Sequence, residues 1–155
     1  MKLSPNFSLD ELTHSEIAVR RGIDNTPDAD VRQNLGMLAD GLQRVRSVLG
    51  HPMRISSGYR SPAVNAAVGG SATSAHMRGL AADFTCPGFG SPRDVVMAIV
   101  NYAETINFDK VILEFGEWVH IQFRDQPRRQ VLTAKHGANG PIYVAGVLYE
   151  IEVRT

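Results

Sequence analysis

At 155 residues the chain is long enough for one domain with a proper core and too short for two ordinary ones, so a single domain over residues 1–155 is expected. Sixteen basic and sixteen acidic side chains cancel to a formal charge of zero, which argues against nucleic-acid binding or membrane-surface attachment by bulk electrostatics. One cysteine, Cys86, allows no internal disulfide and reads as a buried thiol.

Met1 to Asn6 is not followed by the apolar stretch a secretory signal requires, and the longest apolar run is only Val95 to Val100. The product is therefore expected to accumulate in the cytoplasm where it is made, without stable membrane insertion. A substrate beyond the membrane would then need a membrane-opening partner for release.

In chain order, Ser8 followed by Glu11 is a capping box, with Phe7 and Leu12 as its hydrophobic staple, and the helix should fade before Gly22. Thr26 with Pro27 opens a longer helix in which Val31, Leu35, Leu38, Leu42, Val45 and Leu49 form the core stripe, ended by Gly50. Arg54 to Ser57 reads as a short strand. Ser61 and Pro62 then start a brief helix closed by Gly69 and Gly70. Leu80 to Cys86 is apolar enough for a buried strand carrying Asp83. Ser91 to Asp94 cap a helix running through Val95, Ile99 and Tyr102 towards Ile106.

Lys110 to Phe115 and Trp118 to Phe123, separated by Gly116 and Glu117, read as a hairpin. Further on, Gln130 to Ala134 suits a strand, Gly137 to Gly140 a turn, and Pro141 to Val153 one or two more strands. These elements make an α+β fold with helices packed on one side of an antiparallel sheet.

Four residues suit a mononuclear zinc hydrolase: His76, Asp83, Glu117 and His120. A catalytic zinc takes three protein ligands and keeps one position open. His76, Asp83 and His120 supply two neutral nitrogens and one carboxylate, so one zinc ion per chain is expected. Alternation in Trp118 to Phe123 puts His120 and Gln122 on one face and Val119, Ile121 and Phe123 on the other. The apolar face belongs to the core, which leaves His120 in the cleft.

Glu117 is assigned the proton-handling role, with a bend at Gly116 needed to aim it. Glu114 competes for that role from mid-strand. Arg60, after the Ser57–Gly58–Tyr59 turn, would grip a substrate carboxylate or polarise the scissile carbonyl. Taken singly, each of these residues is more often structural, and only their combination points to chemistry. Trp118 and Tyr59 read as packing residues. His14, His51 and His136 lack ligand-spaced neighbours, and Arg124, Arg128, Arg129 and Lys135 read as a solvated basic face.

Three motifs resemble the zinc D-Ala-D-Ala peptidases (peptidase M15), a family of D-alanyl-D-alanine carboxypeptidases, D-Ala-D-Ala dipeptidases and phage L-alanyl-D-glutamate endopeptidases. They are Ser57-Gly58-Tyr59-Arg60-Ser61-Pro62, the Ser-x-His-x-x-Gly-x-Ala-x-Asp run from Ser74 to Asp83, and Glu-x-x-His from Glu117 to His120. Phe7 to Phe123 resembles phage-encoded members throughout. Beyond Phe123 the resemblance reaches only phage-like members and implies no role for residues 124–155.

The resemblance implies zinc on His76, Asp83 and His120, catalysis by Glu117, and substrate contact by Arg60 and Ser74. It also implies a fold shared with the Hedgehog signalling domain and a peptidoglycan peptide as substrate. The expected protein is a monomeric phage or prophage endolysin, made in the host cytoplasm and acting in the periplasm or cell wall after release. A virion-associated wall peptidase acting at entry is a further option, and a non-catalytic zinc-stabilised wall-binding virion module is the alternative from another class.

Overall fold

The computed structural model describes residues 1–147. Two short strands, β1 (Lys2–Ser4) and β2 (Phe7–Ser8), form a small antiparallel ribbon ahead of the first helix. Ser8 caps α1 (Leu9–Thr13) by accepting from the Glu11 amide, and both Phe7 and Leu12 are buried. The expected single helix is two: α1 stops at His14, and Ser15 caps α2 (Glu16–Arg21) anew. The cause lies in the carbonyls at the end of α1. Leu12 O accepts from the Tyr59 amide at 2.7 Å and Thr13 O from the Asn25 side chain at 2.8 Å, so a distant loop satisfies groups that a helix end leaves open.

The long helix is α3 (Ala29–Leu49), and all six residues of the expected stripe are buried. Its cap is Asp28, not Thr26: the Asp28 carboxylate accepts from the Val31 amide at 2.9 Å, while the Thr26 amide donates to Asp24. A carboxylate is the better group at the positive end of a helix. Gly50 ends α3 in the left-handed conformation. Then follow β3 (Arg54–Ser57), α4 (Pro62–Ala67) capped by Ser61, a 3-10 turn at Ala75–Arg78, and β4 (Ala81–Thr85). After α5 (Pro92–Asn101) comes α6 (Ala103–Ile106), displaced at Tyr102, which is exposed rather than core.

The sheet is completed by β5 (Lys110–Glu114), β6 (Trp118–Gln122), β7 (Gln130–Gly137) and β8 (Gly140–Ala145), in the order β3-β4-β6-β5-β7-β8. One pairing departs from the expected antiparallel sheet: β5 and β7 are parallel. With both edges of β6 taken by β4 and β5, the chain leaving β6 turns to the open edge of the neighbouring β5, where the Gln130 amide bonds Asp109 O at 2.9 Å. Any strand within Leu148 to Val153 lies outside the described residues.

One face of the sheet carries Ala82, Phe84, Val111, Leu113, Val119 and Ile121, all buried against the stripe of α3 and against Val95, Val96 and Ile99 of α5. Removing a central member such as Leu38 would cost about 2–5 kcal/mol. The opposite face carries the polar side chains of β4, β5 and β6. Among the described residues no helix is long and apolar enough to cross a membrane.

Candidate metal centre

Two strands supply one wall of the site. Asp83 in β4 lies directly opposite His120 in β6, so both side chains leave the sheet on the face away from the helices. His120 Nδ1 meets Asp83 Oδ1 at 2.9 Å, and its Nε2 lies 2.8 Å from Gln122 Oε1, two residues along the same face. An Nε2–H donated to Gln122 leaves Nδ1 as the nitrogen aimed at the cluster.

Two loops supply the other wall. His76, in the 3-10 turn, places Nε2 at 3.3 Å from Asp83 Oδ1 while its Nδ1–H donates to Gly58 O at 2.7 Å. Gly58 has no room for a side chain, since an added Cβ would collide with the Leu12 carbonyl oxygen. Asn25 ties this loop down: its amide NH2 donates to Thr13 O and Tyr59 O, and its side-chain oxygen accepts from the Ser61 amide at 2.7 Å. The Arg60 amide donates to His76 O at 3.1 Å, which ties the backbones carrying the arginine and the histidine together.

The donor atoms of His76, Asp83 and His120 all lie within 4.8 Å of one another, and the imidazole centroids are 5.1 Å apart. Their side chains are 3%, 15% and 11% exposed, so the carboxylate is sunk between two rings yet open at one side. Burial pushes the Asp83 carboxyl up, but hydrogen bonds and charge from His120 and His76 outweigh it and hold it well below the usual carboxylate range. Burial would lower the His120 imidazole; Asp83, Gln122 and Glu114 together raise it. A buried carboxylate held ionised between two imidazoles whose outer nitrogens are already occupied is an arrangement made for a cation. The set fits a divalent metal with borderline-soft preferences.

A family model described as Peptidase M15 matches residues 5–122. The chain belongs to the peptidase M15 family. No curated protein matches it. The match contains all three convergent donors, as well as Arg60, Ser74 and both candidate carboxylates, while β7 and β8 fall beyond it. M15 peptidases are typically metal-dependent, in keeping with the His–Asp–His cluster.

In this M15 peptidase Arg60 sits beside the cluster, half-buried, with one guanidinium nitrogen donating to Ser74 Oγ at 3.3 Å. Burial lowers its pKa while the charge of Asp83 raises it, and its Nε is buried with no partner among the described residues. Ser74 Oγ also accepts from the His76 amide at 3.2 Å, so its hydroxyl holds Arg60 and the 3-10 turn together.

Glu117 is not brought to the cluster. It is exposed in the β5–β6 turn, its amide donates to Glu114 O at 2.8 Å, and its carboxylate makes no hydrogen bond or ion pair with a described residue. Glu114 is buried on the cluster's face. Burial raises its carboxyl above the ordinary range, His120 opposing and Asp83 adding to the shift.

Gln122 and Asn25 are the contributors that motif reading passed over. Alternation already placed Gln122 beside His120 and was the available signal, whereas Asn25 gave none beyond its place ahead of Pro27. Tyr59 is buried, as expected of a packing residue, and His136 stacks on Phe115 with centroids 4.2 Å apart. The basic cluster is partly structural: Arg128 makes a two-pronged contact with Asp109, and Arg129 donates to Asn107.

Proposed function

We propose that this M15 peptidase is a zinc-dependent hydrolase of peptidoglycan stem peptides, of the D-alanyl-D-alanine carboxypeptidase or L-alanyl-D-glutamate endopeptidase type, serving as a phage or prophage endolysin. The observation that carries the reading is the convergence of His76, Asp83 and His120 within one chain that belongs to a peptidase family. His76 Nε2, an Asp83 carboxylate oxygen and His120 Nδ1 would hold the ion. Zinc bound there supplies a Lewis acid for the scissile carbonyl and acidifies water.

The chain's own groups then orient the substrate. Arg60, pinned by Ser74 and carrying a buried Nε with no partner among the described residues, presents its donors to a carboxylate of the stem peptide or to the scissile carbonyl oxygen. Gly58 O and Gln122 Oε1 keep both imidazoles in the tautomer that the cluster requires. Synthesis in the host cytoplasm and action on the wall after release belong to the same proposal.

Digestion of purified peptidoglycan with and without a chelator, followed by mass spectrometry of the fragments, tests it. Chelator-sensitive new peptide termini are expected, and their masses name the bond. A folded, zinc-loaded protein that releases none from several wall chemotypes would instead be a non-catalytic wall-binding module.

A further inference from the structure

Two carboxylates flank the β5–β6 turn, and the sheet sorts them to different places. Val111 and Leu113 of β5 are buried among the helices, so Lys110, Ile112 and Glu114 take the other face. The register makes this specific. Ile112 lies opposite His120 and Glu114 opposite Trp118, on the edge of β6 that does not pair with Asp83. Glu114 is thus the diagonal neighbour of His120, a spacing a long side chain spans. It is 9% exposed and has no hydrogen-bond partner among the described residues, while its charge is felt by both His120 and the Tyr143 phenol. A largely buried carboxylate that no described residue holds by a hydrogen bond, beside three convergent ligand atoms, is a usable proton acceptor.

Glu117 has none of these features. Phe115 and Gly116 are both left-handed, with φ of 56° and 71°, and this turn leaves Glu117 in solvent. It also precedes Trp118, whose side chain faces the site, so strand alternation directs residue 117 elsewhere.

We propose that Glu114, and not Glu117, is the catalytic carboxylate of this peptidase. The proposal rests on the zinc peptidase reading and replaces one group within it. As the oxygen of water bonds to the scissile carbonyl carbon, one water proton passes to the Glu114 carboxylate. The same proton is then delivered to the amide nitrogen as the C–N bond breaks, so the products are a free amine and a carboxylic acid, whose remaining water proton passes to the amine or to solvent, and Glu114 returns to its starting state.

The test compares zinc-loaded Glu114→Gln, Glu114→Asp and Glu117→Gln with the parent, using peptide release from peptidoglycan, zinc per chain and the melting temperature. Glu114→Gln should keep its zinc and its melt while kcat falls by about 10²–10⁴-fold with little change in KM. Glu114→Asp should recover part of that loss, and Glu117→Gln should turn over like the parent. Parent-like turnover by Glu114→Gln, loss of zinc from it, no recovery in Glu114→Asp, or collapse of kcat in zinc-loaded Glu117→Gln would each overturn the assignment. A parent protein without chelator-sensitive release would overturn the zinc peptidase reading itself, a result separable from all of these.

Discussion

Asp83 and His120 stand on paired strands whose ladder fixes them opposite one another, whereas His76 and Arg60 hang from loops held by a handful of side-chain bonds and one glycine. The two walls meet at the Asp83 carboxylate, which both imidazoles touch. A strand cannot slip by one residue without turning its whole apolar face outward, so the core secures the first wall. The second is secured by bonds from Asn25, by the carbonyls at the end of α1, and by Gly58 packed on Leu12. Fixing a metal centre on both kinds of support joins a rigid reference to a wall that other parts of the chain tune.

The largest expected effect comes from removing the point where the walls meet. Asp83→Ala should abolish stoichiometric metal binding and peptide release together, read by metal content and digestion; a variant still holding one ion per chain would show that the walls do not depend on that contact. Gly58→Ala strikes the loop wall alone, and the clash of its Cβ with the Leu12 carbonyl should cost about 1–3 kcal/mol, seen as a lower melting temperature. An unchanged melt would mean that the loop is looser than its packing shows.

Asn25→Ala strips three bonds from the same wall and should destabilise by about 1–3 kcal/mol while leaving β4 and β6 paired, a division that hydrogen exchange of the strand amides would resolve. On the strand wall, Gln122→Ala should weaken metal binding by about 10–100-fold with little change in thermal stability, checked by competition with a chromophoric chelator.

The smallest effect lies outside both walls. Burial pushes the Asp109 carboxyl up, but hydrogen bonds and charge from Arg128 outweigh it, so the folded pKa lies below the ordinary value. The stability this contributes is present above the unfolded carboxylate range and fades as pH falls through the folded value. Arg128 is about half exposed, with a side chain 47% accessible, so Arg128→Ala should cost only about 1 kcal/mol at neutral pH. The gap from the parent should narrow below about pH 4, as denaturant melts across pH would show. A gap independent of pH would contradict the ion pair.

The strand wall was largely legible in the sequence and the loop wall was not. Alternation along Trp118 to Phe123 gave the facing of His120 and Gln122, and the apolar run around Asp83 gave its strand, because period-two patterning is a local signal. The loop wall depends on Asn25 reaching Thr13, Tyr59 and Ser61, contacts between segments 12 to 36 residues apart that no local pattern encodes. The proposed proton-handling carboxylate fell between the two. Spacing from His120 favoured Glu117, yet β5 register and burial set Glu114 on the face. The parallel β5–β7 pair escaped for a related reason: it follows from which sheet edge remained free, a property of the assembled sheet rather than of residues 130–137.

The β4–β6 pairing also has a bearing on the order in which the chain acquires structure. Asp83 and His120 are 37 residues apart, and the ladder that sets them face to face encloses α5, α6 and β5. The β5–β6 hairpin can close on its own, but β4 joins it only after that long loop has been drawn in, against its chain entropy. An incompletely folded chain therefore offers a cation scattered ligands rather than a site, and metal uptake during refolding becomes a reporter for closure of the sheet.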